Sequence, residues 1–432
     1  MKISLPYGKD KIEFELDEAN IVFNGQTSKL QPIKNLKEKL LYMMDNPINS
    51  PSLKEIARGK TNIFFVVEDI TRKTPLNIIL PIVTNHLNEI GIEDKNITLL
   101  TAPGTHRVMT DNEISEKYGE EIINRLKIIQ HDATDKTSIT DLGKIQTKNY
   151  TIPLHVNKHI TTADLIIGFG SIVPHCNAGY SGGGKIILPG ICDFASTSAA
   201  HASAAFCKEI PLGEIEDNPC REAIDLAAEK VGLSFIINCV LDEDHAPVGL
   251  FVGEPLSAHR EGAKLSQKVF QTEIKEKADI VIASSAPADL DFWQGGKGLS
   301  ASSFAVKNGG IIILASSCIE GLVENHPKYS KYLSMNYNEV MDIIKTTPPE
   351  DIEADIVSAA VATENHKIKS KATIFIITDG LCENDIKSLG FKKFDTITQA
   401  LEEAKKRIPN AKIGIIPSAG TTIPLISKTN QK

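Results

Sequence analysis

The sequence predicts an α/β protein of two domains, each a largely parallel sheet flanked by helices, with the active site in the cleft between them. Short apolar runs alternate with amphipathic stretches along the chain, which is typical of parallel sheets covered by helices. At 432 residues, the chain also exceeds the roughly 250 to 300 residues at which a single core usually stops growing. Polar residues follow several apolar runs, and ligands in such folds bind at the carboxyl ends of the strands.

The first domain is expected to span residues 1–270. Helices are predicted at PLNIILPIVTNHLNEIG and in the Ala/Ser-rich stretch after Gly190. The strand candidates are NIFFVVED, NITLLTA, LKIIQHD, DLIIGFGSIV and FIINCVLD. A charged, helical-looking stretch from Pro255 to about Lys277 leads out of this domain.

The smaller second domain is expected at residues 271–410. Its strand candidates are ADIVIASSAP, GGIIILASS and ATIFIITDG, with helices from Ser300 to Lys307 and up to about Arg407. The final strand, KIGIIPSAG, could complete either sheet. We expect the segment 411–432 to return to the first domain.

Composition limits the classes of function. The chain is 41% hydrophobic and 24% charged with a formal net charge of -8, which suits a globular protein and argues against nucleic acid as the main partner. We see no apolar stretch long enough for a membrane span and no signal peptide. The seven cysteines include no C-x-x-C pair, so they are expected to be reduced thiols in a cytoplasmic protein.

The most informative segment runs from Pro174 to His201 and reads PHCNAGYSGGGKIILPGICDFASTSAAH. Its glycines permit close backbone approaches, and Lys185 stands where a large group could be bound or attached. A phosphate-binding P-loop is the nearest alternative. Ile186 occupies the position where that motif needs a Ser or Thr hydroxyl, so an ordinary nucleotide triphosphatase is disfavoured.

Three further polar clusters follow predicted strands: DITRKTP with Asp69 and Arg72, GTHR with His106, and FWQGGKG with Gln294 and Lys297. Each has a simpler interpretation. Asp69 and its neighbour Thr71 could cap the next helix, and Arg72 could be a surface charge. His106 could lie in a surface turn, and Gln294 and Lys297 could merely decorate a glycine-rich loop.

Taken together, these groups favour catalysis on a small anion. His106 and His175 on separate loops could face one carbon from opposite sides, as inversion of a stereocentre requires, because imidazole transfers protons near neutrality. Arg72 offers a planar fork that matches a carboxylate, and Lys297 adds a second cation. His201 by itself would be a one-residue metal site, so a metal there would need a non-protein scaffold.

In their order and spacing, DITRKTP, GTHR, PHCNAGYSGGGKIILPG, His201 and QGGK closely resemble the lactate racemase family. Its members use a nickel-pincer nucleotide cofactor. The resemblance implies that Lys185 attaches this cofactor through a thioamide and that His201 completes a square-planar nickel. It also implies partners that synthesise the cofactor and a 2-hydroxy carboxylate as substrate.

The resemblance further implies roles for the remaining residues. His106 and His175 look like the paired acid/base residues, Arg72 like the group that engages the substrate carboxylate, and Gln294 and Lys297 like further substrate contacts. We expect four more residues close to the cofactor: Asp69, Gly182, Gly183 and Trp293.

By the family mechanism, one histidine takes the hydroxyl proton while the C2 hydrogen leaves as hydride, and return to the opposite face inverts the 2-hydroxy acid. Lactate racemases carry a tryptophan in the smaller domain that covers the substrate. Trp293 is the only tryptophan here, and none follows it to act as that lid. The substrate therefore remains open among lactate, malate, a longer aliphatic hydroxy acid and a sugar acid.

Two other classes of function compete with this interpretation. A degenerate or non-catalytic homologue that binds a nucleotide-like cofactor would keep the glycine-rich loop but would not need both histidines. An NAD-dependent oxidoreductase would need a G-x-G-x-x-G motif after its first strand, and the sequence has none.

Overall fold

The computed structural model describes residues 1–25, 28, 30–148, 150–323 and 326–427. Its strands are β1 (Lys2–Tyr7), β2 (Asp10–Glu15), β3 (Ile21–Asn24), β4 (Ile63–Val67), β5 (Ile97–Thr101), β6 (Lys127–Gln130), β7 (Ile139–Gln146), β8 (Thr151–Asn157), β9 (Leu165–Ser171), β10 (Pro174–His175), β11 (Gly179–Tyr180), β12 (Leu233–Leu241), β13 (Pro247–Gly253), β14 (Gln271–Ile274), β15 (Ala278–Ser284), β16 (Val306–Ala315), β17 (Ala372–Ile377), β18 (Lys392–Lys393), β19 (Ile413–Ile416) and β20 (Ile423–Ile426).

The helices flank these strands. They are α1 (Leu36–Asp45), α2 (Leu53–Ala57), α3 (Leu76–Asn88), α4 (Asp111–Tyr118), α5 (Glu120–Arg125), α6 (Phe194–Ala205), α7 (Pro219–Val231), α8 (Pro255–Phe270), α9 (Phe292–Ala305), α10 (Tyr329–Ser334), α11 (Tyr337–Thr346), α12 (Ile356–Lys371), α13 (Glu383–Leu389) and α14 (Ile397–Arg407). Among the described residues, no helix is both long and apolar enough to cross a bilayer.

Two six-stranded sheets organise the chain, as the sequence predicts. The first has the order β13-β12-β9-β4-β5-β6 and the second β18-β17-β16-β15-β19-β3. The second sheet is parallel throughout, and the first has one antiparallel pair, β12 with β13. Strands buried on both faces need continuous apolar sequence, and β4, with the sequence IFFVV, is buried at every residue.

The expected return of residues 411–432 to the first domain is wrong for the strand β19. This strand lies between β15 and β3 in the second sheet, where Ile413 pairs with Ile280 on one side and with Ile21 on the other. The N-terminal hairpin β1–β2 also packs on the second sheet, with Leu5 and Phe14 in a core cluster that includes Ile280. An apolar run shows that a strand is buried but does not show which sheet has an open position for it.

A second difference concerns FWQGGKG, which we expected to be a loop. The segment forms the first turns of α9, because the Asp291 side chain accepts a hydrogen bond from the Gln294 N–H at 2.7 Å and caps the helix. Aspartate is a preferred cap, and this cap overrides the low helix propensity of the two glycines. Gln294 and Lys297 are therefore held on a rigid helix.

The two domains meet where α12 of the second packs against α6 of the first. Lys367 on α12 donates hydrogen bonds to the carbonyls of Ala205 and Cys207 at 3.1 and 2.6 Å. These carbonyls lie at the end of α6, where a cation also complements the helix dipole. Lys371 forms an ion pair with Glu209 beside them. The contacts fix the second domain against the helix that carries His201.

Candidate active site

The eleven residues singled out from the sequence meet in one cavity of about 260 Å³ between the domains. They are Asp69, Arg72, His106, His175, Gly182, Gly183, Lys185, His201, Trp293, Gln294 and Lys297. The loops after β4, β5 and β9 supply the first-domain groups, because the carboxyl ends of these parallel strands share one edge of the sheet. Helix α9 supplies the second-domain groups.

His106 is oriented by a buried carboxylate. Its Nδ1 lies 2.8 Å from Asp69 Oδ2, and Asp69 is only 4% exposed. Thr71 donates from its backbone N–H and its hydroxyl to the other oxygen of Asp69. Burial raises the pKa of Asp69, but the bonds from His106 and Thr71 and the nearby Arg72 outweigh it, so the net pKa is lowered. The ionised carboxylate holds the proton on Nδ1 and leaves His106 Nε2 as an acceptor.

The alternative role of Asp69 as a helix cap is not what the structure shows. Helix α3 begins after Pro75, which makes no side-chain capping bond. The carboxylate of Asp69 instead forms hydrogen bonds with His106 and Thr71.

His175 has the opposite hydrogen-bonding pattern. The backbone N–H groups of Asn177 and Ala178 both donate to its Nδ1 at 3.2 Å. A neutral imidazole with Nδ1 as acceptor carries its proton on Nε2. Burial, followed by the charges of Lys185 and Lys297, lowers the pKa of His175 well below its usual value. The two histidines therefore present one ring nitrogen lone pair and one N–H to the cavity.

Lys185 lies in a 3₁₀ turn at Gly183–Ile186. Burial lowers its pKa well below the ordinary value for lysine, and the positive charge of Arg72 lowers it further. The lowered pKa favours the neutral amine, whose free lone pair can act as a nucleophile toward a bound acyl or thioacyl group.

Buried polar side chains hold the backbone of residues 177–183, the loop that joins His175 to Lys185. The side chain of Asn218 donates to the carbonyl of Asn177, and Arg221 donates to the carbonyls of Ala178 and Tyr180. His259 bonds to the carbonyl of Ser181. The Gly183 N–H donates to the side chain of Asn238. Arg221 is only 1% exposed. Sequence reasoning missed these four residues, since a single polar residue in a helix or strand carries no signal of its partner.

His201 projects from α6 with one nitrogen engaged and one available. Its Nδ1 donates to the Thr197 carbonyl at 2.9 Å, which leaves Nε2 as the free lone pair. Burial lowers the pKa of His201 to about 4, so the ring is neutral, as a metal ligand must be. Among the described residues, no group of three His, Cys, Asp or Glu side chains is arranged to hold a metal ion.

The second domain contributes a cation and an aromatic wall. Lys297 Nζ donates to Gln294 Oε1 at 2.6 Å, and burial together with Arg72 lowers the pKa of Lys297 to about 8. Trp293 stacks on His326 with ring centroids 4.1 Å apart and meets Tyr329 edge-on at 5.1 Å.

The cavity also contains groups that the sequence analysis did not select. Glu364 and Asn365 line it from α12. Burial raises the pKa of Glu364 to about 7, although Lys367 and the side chains of Cys176 and Asn177 act against this rise. No local motif marks either residue, because the sequence of α12 mixes polar and apolar residues as many helices do.

Comparison with known proteins agrees with this geometry. The sequence matches the family models of the lactate racemase N-terminal domain over residues 7–211 and of the lactate racemase C-terminal domain over residues 274–423. Two curated relatives named lactate racemase, from Thermoanaerobacterium thermosaccharolyticum and Lactiplantibacillus plantarum, are each 31% identical. The first alignment covers 98% of both chains, and the second covers 96% of this chain and 97% of the relative.

The chain belongs to the lactate racemase family. The structure of the lactate racemase apoprotein from Thermoanaerobacterium thermosaccharolyticum superposes with a TM-score of 0.86 at 28% identity, covering 98% of this chain and 100% of that chain. A protein from Thermotoga maritima shares the fold, with a TM-score of 0.68 at 21% identity over 93% of this chain and 100% of that chain. Like its named relatives, this lactate racemase family member is an isomerase of the racemase type.

The glycine-rich loop of this racemase gives a test of packing. Gly179 has a φ of +71°, and an added Cβ would lie 2.1 Å from the Glu214 carbonyl oxygen. Gly59 has a similar φ of +76° but is exposed, with no atom within 4 Å of such a Cβ.

We expect Gly59→Ala to lower the free energy of unfolding by about 1 to 2 kcal/mol, which is the strain of a left-handed residue. Gly179→Ala should lower it by more than about 3 kcal/mol, because the backbone must also shift. Differential scanning calorimetry of the two variants measures the difference as a larger fall in melting temperature for Gly179→Ala. Equal falls would contradict the close approach of Gly179 to Glu214.

Proposed function

We propose that this racemase inverts C2 of a small 2-hydroxy acid, as lactate racemases do with lactate, and that it works with a nickel-pincer nucleotide attached at Lys185. The relatives' names support the substrate class. The arrangement of Lys185 and His201 in the same cavity supports the cofactor. A protein of this kind also requires partner proteins that synthesise the cofactor, and the unpaired state of all seven cysteines suits a cytoplasmic location.

The residues present fit the proposed cofactor. Lys185 offers an amine with a lowered pKa for covalent attachment, and His201 offers a single neutral nitrogen ligand. The described residues hold no further metal-binding cluster, which suits a metal whose other ligands come from an organic group. The hydroxyl of Thr197, one turn before His201 and also lining the cavity, is buried and has no hydrogen-bond partner among the described residues. When bound, the cofactor supplies the acceptor and donor of hydride at C2.

The protein's own groups would bind and orient the substrate. Arg72 and Lys297 line the cavity from opposite domains, and their charges suit one carboxylate held between them. The guanidinium fork fixes the orientation of that carboxylate, while Lys297 is itself held in place by Gln294.

The histidine pair would move the hydroxyl proton. His106 Nε2 can accept it, and the Asp69 carboxylate stabilises the charge that the ring then carries. His175 presents an N–H that can donate to the substrate oxygen. This complementary pair, an acceptor fixed by a carboxylate and a donor fixed by two backbone amides, is the observation that carries the proposal.

Attachment at Lys185 is tested by intact mass and nickel content. We expect protein produced together with the cofactor-synthesis proteins to gain mass and nickel, and Lys185→Ala to gain neither, because the attaching amine is gone. Lys297→Ala is the matched control, since it removes another cavity lysine and should keep the added mass. Protein that gains no mass and no nickel under these conditions would overturn the cofactor assignment and favour a degenerate homologue.

The role of Asp69 is tested by Asp69→Asn. The amide cannot hold the proton of His106 in the same way, so kcat/KM should fall on the order of 100-fold. It should fall equally from either enantiomer, since the equilibrium constant of a racemisation is one. An ¹⁵N spectrum of the His106 ring should show loss of the Nδ1–H form. Full activity with an altered ring spectrum would show that the tautomer of His106 is irrelevant to catalysis.

The pH profile tests Lys297. Its ammonium loses a proton as the pH rises through about 8, so kcat/KM, which reports the free enzyme, should decline above this pH as carboxylate binding weakens. In Lys297→Arg the decline should move to higher pH, because a guanidinium stays protonated. A wild-type profile that holds level until about pH 10, where an unperturbed lysine titrates, would exclude Lys297 as the carboxylate ligand.

A further inference from the structure

One buried lysine outside the cavity has no part in the proposed chemistry. Lys117 lies in the last turn of α4 and is only 6% exposed. It does not line the cavity. Lysine is almost never buried unless its ammonium is paired. The burial of Lys117 therefore requires specific hydrogen-bond partners.

Those partners belong to the loop that carries Arg72. The Lys117 ammonium donates to the backbone carbonyls of Arg72 and Thr74, with Nζ–O distances of 2.6 and 3.1 Å. Hydrogen bonds from a charged donor are about twice as strong as neutral ones. The two bonds hold the backbone at the point from which the Arg72 side chain extends to the cavity.

The residue after Lys117 holds the beginning of the same loop. The Tyr118 hydroxyl donates to the carbonyl of Glu68 at 2.9 Å. The Glu68 side chain in turn accepts a hydrogen bond from the Thr74 hydroxyl. Residues 68–74 are thus held from the last turn of α4 at several points.

The opposite end of α4 is tied to the loop that carries His106. Arg107 forms two hydrogen bonds with Glu113 in the first turn of α4, at 2.8 and 2.6 Å. Helix α4 therefore connects two loops that also meet directly in the bond between His106 and Asp69. This connection gives the loop of Arg72 a rigid support.

Lys117 is the charged group of this support. Burial lowers its pKa, although the charges of Glu68 and Asp69 act against this effect. An apolar side chain of similar length at this position would leave the carbonyls of Arg72 and Thr74 without their donor. Loss of a donor to a buried acceptor costs free energy, and the loop could recover it only by moving.

We propose that Lys117 is a positioning residue for Arg72, and that its two hydrogen bonds orient the guanidinium toward the substrate carboxylate. This inference rests on the proposed function, since Arg72 is the carboxylate ligand of the same site. Lys117 acts on substrate binding through the loop alone. Its effect on binding should therefore disappear when the Arg72 side chain is absent.

The test begins with Lys117→Met, which keeps the length of the side chain and removes the donors. For the nickel-loaded enzyme, KM for lactate should rise on the order of tenfold with little change in kcat, the pattern expected when ground-state and transition-state binding weaken equally. An NMR titration of the cofactor-free protein should show a similar loss of affinity for lactate.

A double-mutant cycle assigns this loss to Arg72. In an Arg72→Ala background, Lys117→Met should change the affinity for lactate by no more than about twofold, the range found for independent sites. Lys117→Arg keeps donors for both carbonyls and should bind lactate nearly as the wild type does. Lys117→Gln keeps one donor, should lie between the two, and replaces Lys117→Met in the cycle if that variant does not fold.

Lys158→Met is the matched control. The Lys158 ammonium also donates to a backbone carbonyl, that of Thr137 at 2.8 Å, but Lys158 does not line the cavity and lies in a different part of the fold. Its removal should leave both KM and the affinity for lactate at the wild-type values.

The outcomes separate the two proposals. Equal losses of lactate affinity from Lys117→Met with and without the Arg72 side chain would overturn the positioning role, and so would an unchanged KM in Lys117→Met. Wild-type affinity in Arg72→Ala would overturn the role of Arg72 and this inference with it. Loaded wild type that inverts no 2-hydroxy acid would overturn the proposed function, and the titrations of the cofactor-free protein would still decide the role of Lys117.

Discussion

The buried polar scaffold behind residues 177–183 is the constraint on which the site depends. The carbonyls and N–H groups of this loop are buried, so they need hydrogen-bond partners, and those partners come from side chains distant along the chain. Arg221 contributes most, because its buried guanidinium reaches two carbonyls of this loop. His175 and Lys185 lie on either side of this loop, and their separation therefore depends on side chains from other elements of the fold.

Burial then determines the protonation states of the site. Several cations share this cavity, and each lowers the pKa of its neighbours in addition to the effect of desolvation. Burial lowers the pKa of Lys185 well below its ordinary value and that of His201 to about 4, so the His201 ring is neutral, while burial and Arg72 bring the pKa of Lys297 to about 8. These three groups share one electrostatic environment, and burial is the largest cause of the pKa shift at each of them.

The contact between α6 and α12 links the two halves of this environment. Lys367 joins the helices at the carbonyl end of α6, and Glu364 on the same helix reaches the residues that follow His175. These contacts fix the position of the second domain relative to both His201 and His175.

The sequence by itself determined the two α/β domains, their central strands and eleven of the residues that line the cavity, because buried parallel strands need unbroken apolar runs and the polar residues after them share one sheet edge. It did not determine where β19 pairs, that FWQGGKG is helical, or that Arg221, Glu364 and Asn365 belong to the site. Those features depend on partners distant along the chain. The local sequence pattern reflects how a residue relates to its neighbours along the chain. Strand pairing, side-chain burial and interactions between charges arise only when the chain is folded.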